Sequence, residues 1–370
     1  MSTASFNGRV GLVQRVLPNY RAPFFNALGQ ACQKGLGVFA GAPRSSENIQ
    51  TVDSLEHAHL TQGKNLHLFK NKLYLCVQFG LIRWLKKFNP DVLIVEANPR
   101  YLRTTAARRW MHRRGRPVIG WGLGAPPLSG PLAALRRTRR KRFIRQFDAL
   151  ITYSQAGAQT YAQLGFPTAR IFVAVNAVTP PPAHPMPVRP IPKGGHRARV
   201  LFVGRLQARK QVDNLLQACA QLSPDHQPEL VIVGDGPERG RLESLAAQIY
   251  PCTVFTGALY GKALEDLFLS ADLFVLPGTG GLALQQAMSY GLPVIAAEAD
   301  GTQVDLVRPV NGWQVPPNNL PALQRALTTA LGDISKLRAM GTESYRIVAE
   351  EININQMVAV FAQALERSRL

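Results

Sequence analysis

Short apolar runs recur along this chain, separated by stretches in which apolar residues return every three or four positions. The first pattern marks strands buried on both faces. The second marks helices with one buried face. In the first half, runs predict strands over residues 10–16, 37–40, 91–96, 118–121, 149–153 and 171–175. The first of these is broken by the polar pair Gln14 and Arg15. Helices are predicted over 26–34, from Ser154 to Leu164, and over 73–88, where Leu73, Val77, Leu81 and Leu85 recur and Asn89-Pro90 stops the pattern. Residues 43–66 are polar and irregular and predict no element.

The pattern lapses over residues 177–196, where seven prolines fall between Thr179 and Lys193. Such a stretch predicts an extended, semi-rigid linker. Alternation then resumes, with strands predicted at 200–203, 230–233, 253–255, 273–276 and 294–297. Helices are predicted between and after them, at 212–222, 237–249, 262–270, 281–290 and 319–333. A last helix over 353–368 carries Ile354, Val358, Phe361 and Leu365 on one face. Alternating strands and helices imply parallel sheets covered on both sides. The expected fold class is α/β, with two doubly wound Rossmann-like domains facing a cleft. The expected boundaries are 1–178 for the first domain, 179–196 for the linker and 197–350 for the second domain. Residues 351–370 form a C-terminal helix expected to return to the first domain.

Composition agrees with two folded domains. The chain has 370 residues, of which 46% are hydrophobic and 18% charged, and this excludes a disordered protein. Its four cysteines are scattered and form no CxxC pair, so neither a disulfide framework nor a zinc site is expected. The seven histidines form no spacing that suggests a metal site beyond the weak EHAH at 56–59. No signal-peptide core and no membrane-spanning apolar run is expected. Charge is the unusual property: the formal net charge is +20, a field that attracts phosphate groups.

Two segments carry candidate phosphate chemistry. In RVLFVGRLQARK, residues 199–210, an apolar run ends at Gly204, and Arg205 and Lys210 follow at a spacing of five. An arginine fork and a lysine point charge together suit a diphosphate. In TGGLALQQAM, residues 279–288, Thr279, Gly280, Gly281 and Leu282 open a helix after the strand LFVLP. Unobstructed amides at a helix start suit the same anion. The alternative for the second segment is a turn that needs glycine for its backbone angles alone.

These segments resemble the retaining glycosyltransferases of the GT-B fold, family four. VGRLQARK is similar to the family's VGR-x4-K segment, and PGTGGLALQQAMSYGLPVIAA stands where the family has a glutamate, a glycine turn and a second glutamate in EAM. The segment from ITYSQAGAQ to VNAV, the unit VIVGDGPERGRLESLA and FTGAL match as well. The resemblance covers roughly residues 149–315. It implies that Arg205, Lys210 and the amides of Gly280 and Gly281 bind the donor diphosphate, with Gly204, Thr279 and Leu282 also in the donor site. It implies that Gln286, standing for the second glutamate, contacts the ribose. It also implies front-face transfer with retention, in which Arg205 and Lys210 stabilise the departing diphosphate without metal or cofactor.

Two positions depart from the family. Gly278 replaces the first glutamate, with Glu298 or Asp300 as candidate substitutes, and Leu123 replaces a histidine in RPVIGWGLG. In the first half, Glu96 ends the strand DVLIVE and is a candidate to orient an acceptor hydroxyl, or else an ion-pair partner of a nearby arginine. Asn19, Tyr20, Arg21 and Trp121 are further acceptor-side candidates.

The run RRTRRKRFIR at 136–145 holds seven basic residues interleaved with apolar ones. It suits an anionic membrane surface better than nucleic acid, for which no motif is present, and a solvated basic helix is the alternative. The expected function is therefore transfer from a nucleotide sugar to a lipid-linked or polysaccharide acceptor at the cytoplasmic face of the membrane. The alternative is a non-catalytic relative that binds the nucleotide sugar or partners an active transferase.

Overall fold

The computed structural model describes residues 5–47, 49–69, 74–125, 127–191, 197–299 and 301–369. The chain divides into two compact units, residues 1–178 with 354–370, and residues 179–353.

Unit 1 contains β1 (Val10–Gln14), α1 (Ala22–Ala31), β2 (Leu36–Gly41), β3 (His59–Leu68), β4 (Leu75–Phe79), α2 (Leu81–Phe88), β5 (Val92–Glu96), α3 (Arg103–His112), β6 (Val118–Gly122), α4 (Ala133–Ile144), β7 (Ala149–Thr152), α5 (Gln155–Gln163) and β8 (Ile171–Val173). Its sheet runs β4-β3-β2-β1-β5-β6-β7-β8, parallel except for the edge pair β3–β4. Every residue of β1 and β2 is buried, as central strands covered on both faces require. Chain order runs outward from β1 in one direction and from β5 in the other, so the topological switch lies between these two strands.

Unit 2 contains β9 (Arg199–Val203), α6 (Val212–Ala220), β10 (Glu229–Val233), α7 (Arg239–Ile249), β11 (Thr253–Gly257), α8 (Gly261–Ser270), β12 (Leu273–Leu276), α9 (Leu282–Ser289), β13 (Val294–Ala297), α10 (Gln303–Leu306), β14 (Gly312–Val315), α11 (Leu320–Leu331) and α12 (Ile334–Arg346). Its six strands are all parallel, in the order β11-β10-β9-β12-β13-β14, with the switch between β9 and β12. The final helix, α13 (Ile354–Arg367), lies in unit 1. Its Phe361 ring packs 5.0 Å from both Phe24 and Trp121, in a core shared with β1, β5, β6 and β7.

Three differences from the sequence reading have physical causes. The predicted helix over 73–88 is half strand: β4 pairs antiparallel with β3, the chain turns at Gly80 (φ 85°), and the helix begins at Leu81. Leu73 lies outside the described residues. A spacing of four is twice the strand period, so Val77 fits either element. β3 was not predicted because its polar residues sit in a strand, paired between β2 and the edge strand β4, that has no fully buried residue along its length.

The described part of the proline-rich stretch, up to residue 191, has no helix or strand and is docked on unit 2. Arg189 donates to the carbonyls of Phe268, Ala271, Tyr290 and Gly291, and the His184 ring stacks 4.9 Å from Tyr290. Those carbonyls lie at the ends of α8 and α9, where no intrahelical donor reaches them.

Candidate active site

The unit 2 switch point is built by two loops that hydrogen-bond to each other. Past β9, Leu206 is fully buried and anchors the basic loop, its amide donating to the Asp235 carbonyl at 2.9 Å. A 3-10 turn over Ala208–Lys210 then carries the chain toward the glycine turn that follows β12. The Thr279 amide donates to the Arg209 carbonyl at 3.0 Å, and the Arg209 guanidinium donates to the Thr279 hydroxyl at 2.9 Å.

Gly278 is required by this contact. A Cβ there would stand 2.3 Å from the Arg209 carbonyl oxygen and 2.5 Å from the Lys210 carbonyl carbon. Gly280 has φ 143°, and a Cβ on it would meet the Lys210 ammonium at 2.5 Å. Its carbonyl accepts from the Gln303 amide at 2.7 Å.

Lys210 is the unusual charge of this site. Burial, helped by the neighbouring Arg209, pushes its ammonium down to about 8. It forms no hydrogen bond or ion pair among the described residues. A desolvated ammonium without a counter-ion, packed on a bare glycine backbone, is poised for an oxyanion. Arg205 is exposed one residue past Gly204. On α9, Leu282 is partly exposed and Gln286 half-buried, whereas Gln285 faces the core and donates to the Ile352 carbonyl at 2.7 Å. The two glutamines thus have separate tasks, and Gln286 is the one whose side chain is not committed to the core. Glu298 lies exposed just past β13 and makes no ion pair among the described residues. Asp300 lies outside them.

Unit 1 gathers polar groups at its own switch point. Glu96 ends β5, and its carboxylate accepts from the Arg15 amide at 3.3 Å. Burial pushes it up to about 7, against the opposing pull of Arg15, the Tyr101 hydroxyl and Arg21. Arg15 itself is paired with Glu47 at 2.8 Å, and Arg44 with the same carboxylate at 2.9 Å. Burial would raise Glu47, but the hydrogen bonds from Arg15 and Arg44 hold it at about 2. Glu96 therefore takes no arginine side chain as a salt-bridge partner among the described residues.

The acceptor-side candidates fall into two groups. Asn19 is exposed, and its amide group donates to the Gln50 side chain at 3.1 Å, so it fastens a loop. Arg21 lies over aromatic rings, its Cζ 5.2 Å from the Tyr153 centroid, 5.5 Å from Trp121 and 5.9 Å from Tyr20. Trp121 is only 1% exposed and lies beneath Arg21 as a platform. Leu123 is exposed beyond β6. Sequence reading did not single out Tyr153, Tyr101 or the Arg15–Glu47 pair. The available signal was the polar pair Gln14-Arg15 at the end of a buried strand.

A family model described as glycosyl transferases group 1 matches residues 189–347, and one described as Glycosyltransferase Family 4 matches residues 36–180. The chain belongs to the group 1, family four glycosyltransferases. Its similarity to the GDP-mannose-dependent alpha-mannosyltransferase of Mycolicibacterium smegmatis is 44% identity over 172 residues, 42% of either chain. It is 26% identical over 241 residues to the putative colanic acid biosynthesis glycosyltransferase WcaL of Escherichia coli K12, covering 61% of this chain and 59% of that protein. The matched stretches span less than half the length of the mannosyltransferase relatives. Among solved structures, the lipopolysaccharide outer core galactosyltransferase WaaB aligns with a TM-score of 0.71 at 15% identity, over 97% of this chain and 99% of the other. HepE of Anabaena, solved with UDP, aligns with a TM-score of 0.70 at 17% identity over the same shares. These likenesses show the GT-B fold. In this glycosyltransferase, both clusters of polar groups stand at the carboxyl ends of parallel strands beside a switch point, where open α/β sheets bind ligands.

Proposed function

We propose that this glycosyltransferase moves a hexose from a nucleotide-sugar donor to a lipid-linked or polysaccharide acceptor, with retention and without a metal ion. The observation that carries the reading is the buried, unpartnered ammonium of Lys210 against the backbone of Gly280. Unit 2 holds the donor: Arg205, Lys210 and the amides of the glycine turn neutralise the diphosphate, and Gln286 binds the ribose. The bond from the anomeric carbon to the phosphate oxygen breaks, leaving the electron pair on the diphosphate. The acceptor oxygen bonds to the anomeric carbon, and its proton passes to the leaving phosphate. Unit 1 holds the acceptor, with the Glu96 carboxylate orienting its hydroxyl.

GDP-mannose leads the donor panel because several relatives are named for its use. Incubating the protein with GDP-mannose, UDP-glucose, UDP-galactose and UDP-N-acetylglucosamine plus a membrane extract should give transfer from one of them. Arg205→Ala and Lys210→Ala should each weaken donor binding or turnover by about 1.5–3 kcal/mol. Unchanged nucleotide affinity in both variants would exclude this diphosphate site. Binding without turnover of any donor would favour a non-catalytic relative, the reading suggested by the missing carboxylate at Gly278.

We also assign the chain to the inner face of the cytoplasmic membrane as a peripheral protein. No described helix is long and apolar enough to cross a membrane. The supporting feature is α4, where Leu132 and Leu135 are exposed beside Arg136, Arg137 and Arg139. A cavity of about 500 Å³ next to it is lined by Pro127, Leu128, Ala134, Leu164, Arg137 and Arg140. Apolar walls under a basic rim suit an amphiphilic anion.

A further inference from the structure

Arg21 is the charge at the unit 1 switch point that neither the fold nor the donor reaction uses. Its guanidinium makes no hydrogen bond and no ion pair among the described residues, and its Nη1 is buried without an acceptor. The rings of Tyr20, Trp121 and Tyr153 attract its positive charge, but an aromatic ring leaves the strong acceptor sites of the N–H donors unfilled. The other two arginines here are already committed to Glu47. Glu96, the remaining carboxylate, is held by the Arg15 amide. Three guanidiniums therefore share two carboxylates, and the excess positive charge resides on Arg21. Its position is rigid. Trp121 and Tyr153 stand 5.1 Å apart at the ends of β6 and β7, and Phe361 of α13 backs the Trp121 ring.

We infer that Arg21 is an oxyanion receptor, and that the acceptor of this glycosyltransferase carries a carboxylate or phosphate group close to the hydroxyl that receives the sugar. The inference rests on the reading of unit 1 as the acceptor side. A guanidinium fixed on aromatic rings presents its N–H fork without further loss of side-chain freedom, and such a fork matches a carboxylate or a phosphate ester alike. Glu96 lies close enough to interact electrostatically with Arg21. An anion bound at Arg21 would therefore set the acceptor's distance and register relative to the carboxylate.

The test uses a matched trio of probes: a methyl hexoside, its uronic-acid counterpart and its 6-phosphate. Binding to the full chain is followed by calorimetry or tryptophan fluorescence. Wild-type protein should bind at least one anionic probe about tenfold more tightly than the neutral one, the scale of one charge-assisted bond. Whether the uronate or the phosphate gains more identifies the source of the oxyanion. Arg21→Gln should remove the preference, and Arg21→Lys, which keeps the charge but loses the planar fork, should retain part of it. Equal binding of all three probes by wild type, or an undiminished preference in Arg21→Gln, overturns the inference. GDP and UDP binding is measured alongside. Nucleotide binding with no anion preference overturns the Arg21 assignment alone, whereas failure of wild type to bind either nucleotide overturns the transferase reading itself.

Discussion

Two titrating groups with opposite requirements define the residue scale. Glu96 orients a hydroxyl only as a carboxylate, so its contribution appears as pH rises through about 7. Lys210 binds diphosphate as an ammonium, so its contribution fades as pH rises through about 8. Both groups are poised in the free protein, and kcat/KM reports free-enzyme ionisations. The profile should be a narrow bell with its maximum between these values. Glu96→Gln should flatten the acidic limb and lower the rate by about 10–100-fold, the scale of one hydrogen bond to a charged group. Lys210→Arg should move the alkaline limb out of range, because a guanidinium stays charged. A profile flat from pH 6 to pH 9 in the wild type would separate both residues from the reaction. The identities of Arg205 and Lys210 were legible from their spacing after an apolar run. The burial of Lys210 was not, because it depends on a glycine turn some seventy residues away in the chain, brought close only by folding.

At the scale of elements, the decisive contact is between the basic loop after β9 and the glycine turn after β12. From sequence, Gly278 is a lost carboxylate. In the structure it is the residue that lets the Arg209 and Lys210 backbone approach the turn. Restoring a side chain should therefore harm the protein. Gly278→Ala should cost about 1–3 kcal/mol, the range for overpacking a tight contact, and Gly278→Glu should cost at least as much and weaken nucleotide binding. Thermal unfolding and nucleotide titration of the two variants check this, and a gain of activity in Gly278→Glu would refute it.

Elements were legible where apolar runs are central strands: β5, β9, β10, β12 and β13 lie within about two residues of their expected places. They were not legible where tertiary context decides. Residues 75–79 form an edge strand by pairing with β3, a partner whose own pattern is polar. The strand β14 and the helix α12 were not predicted. Gly312–Val315 is a four-residue strand with a half-buried centre, and Ile334–Arg346 is a separate helix just beyond the one expected over 319–333. The prolines mark a stretch that has no helix or strand over its described residues 177–191, yet they carry no information on the four carbonyls that Arg189 satisfies.

At the scale of the whole molecule, the net charge of +20 exceeds what one nucleotide needs. Much of the excess lies on α4, where only Ile144 is buried. Arg137, Arg139, Lys141 and Arg142 are exposed there and pair with no carboxylate among the described residues. Their like charges repel along the helix, and α4 lacks the i,i+4 acidic partners that ordinarily relieve such repulsion. An anionic surface relieves it at once, with roughly 1 kcal/mol gained per basic residue close to the lipid headgroups. The exposed Leu132 and Leu135 add apolar area at the same edge. Replacing Arg137, Arg139, Lys141 and Arg142 together by glutamine should therefore sharply reduce sedimentation with vesicles that contain anionic lipid. Raising the salt concentration should do the same to wild type, since exposed charges are screened within a Debye length. Nucleotide binding should persist in the quadruple variant, because Arg205 and Lys210 belong to unit 2 and α4 to unit 1. Wild-type protein that ignores anionic vesicles at low salt would leave α4 a solvated basic helix and remove the membrane from the function.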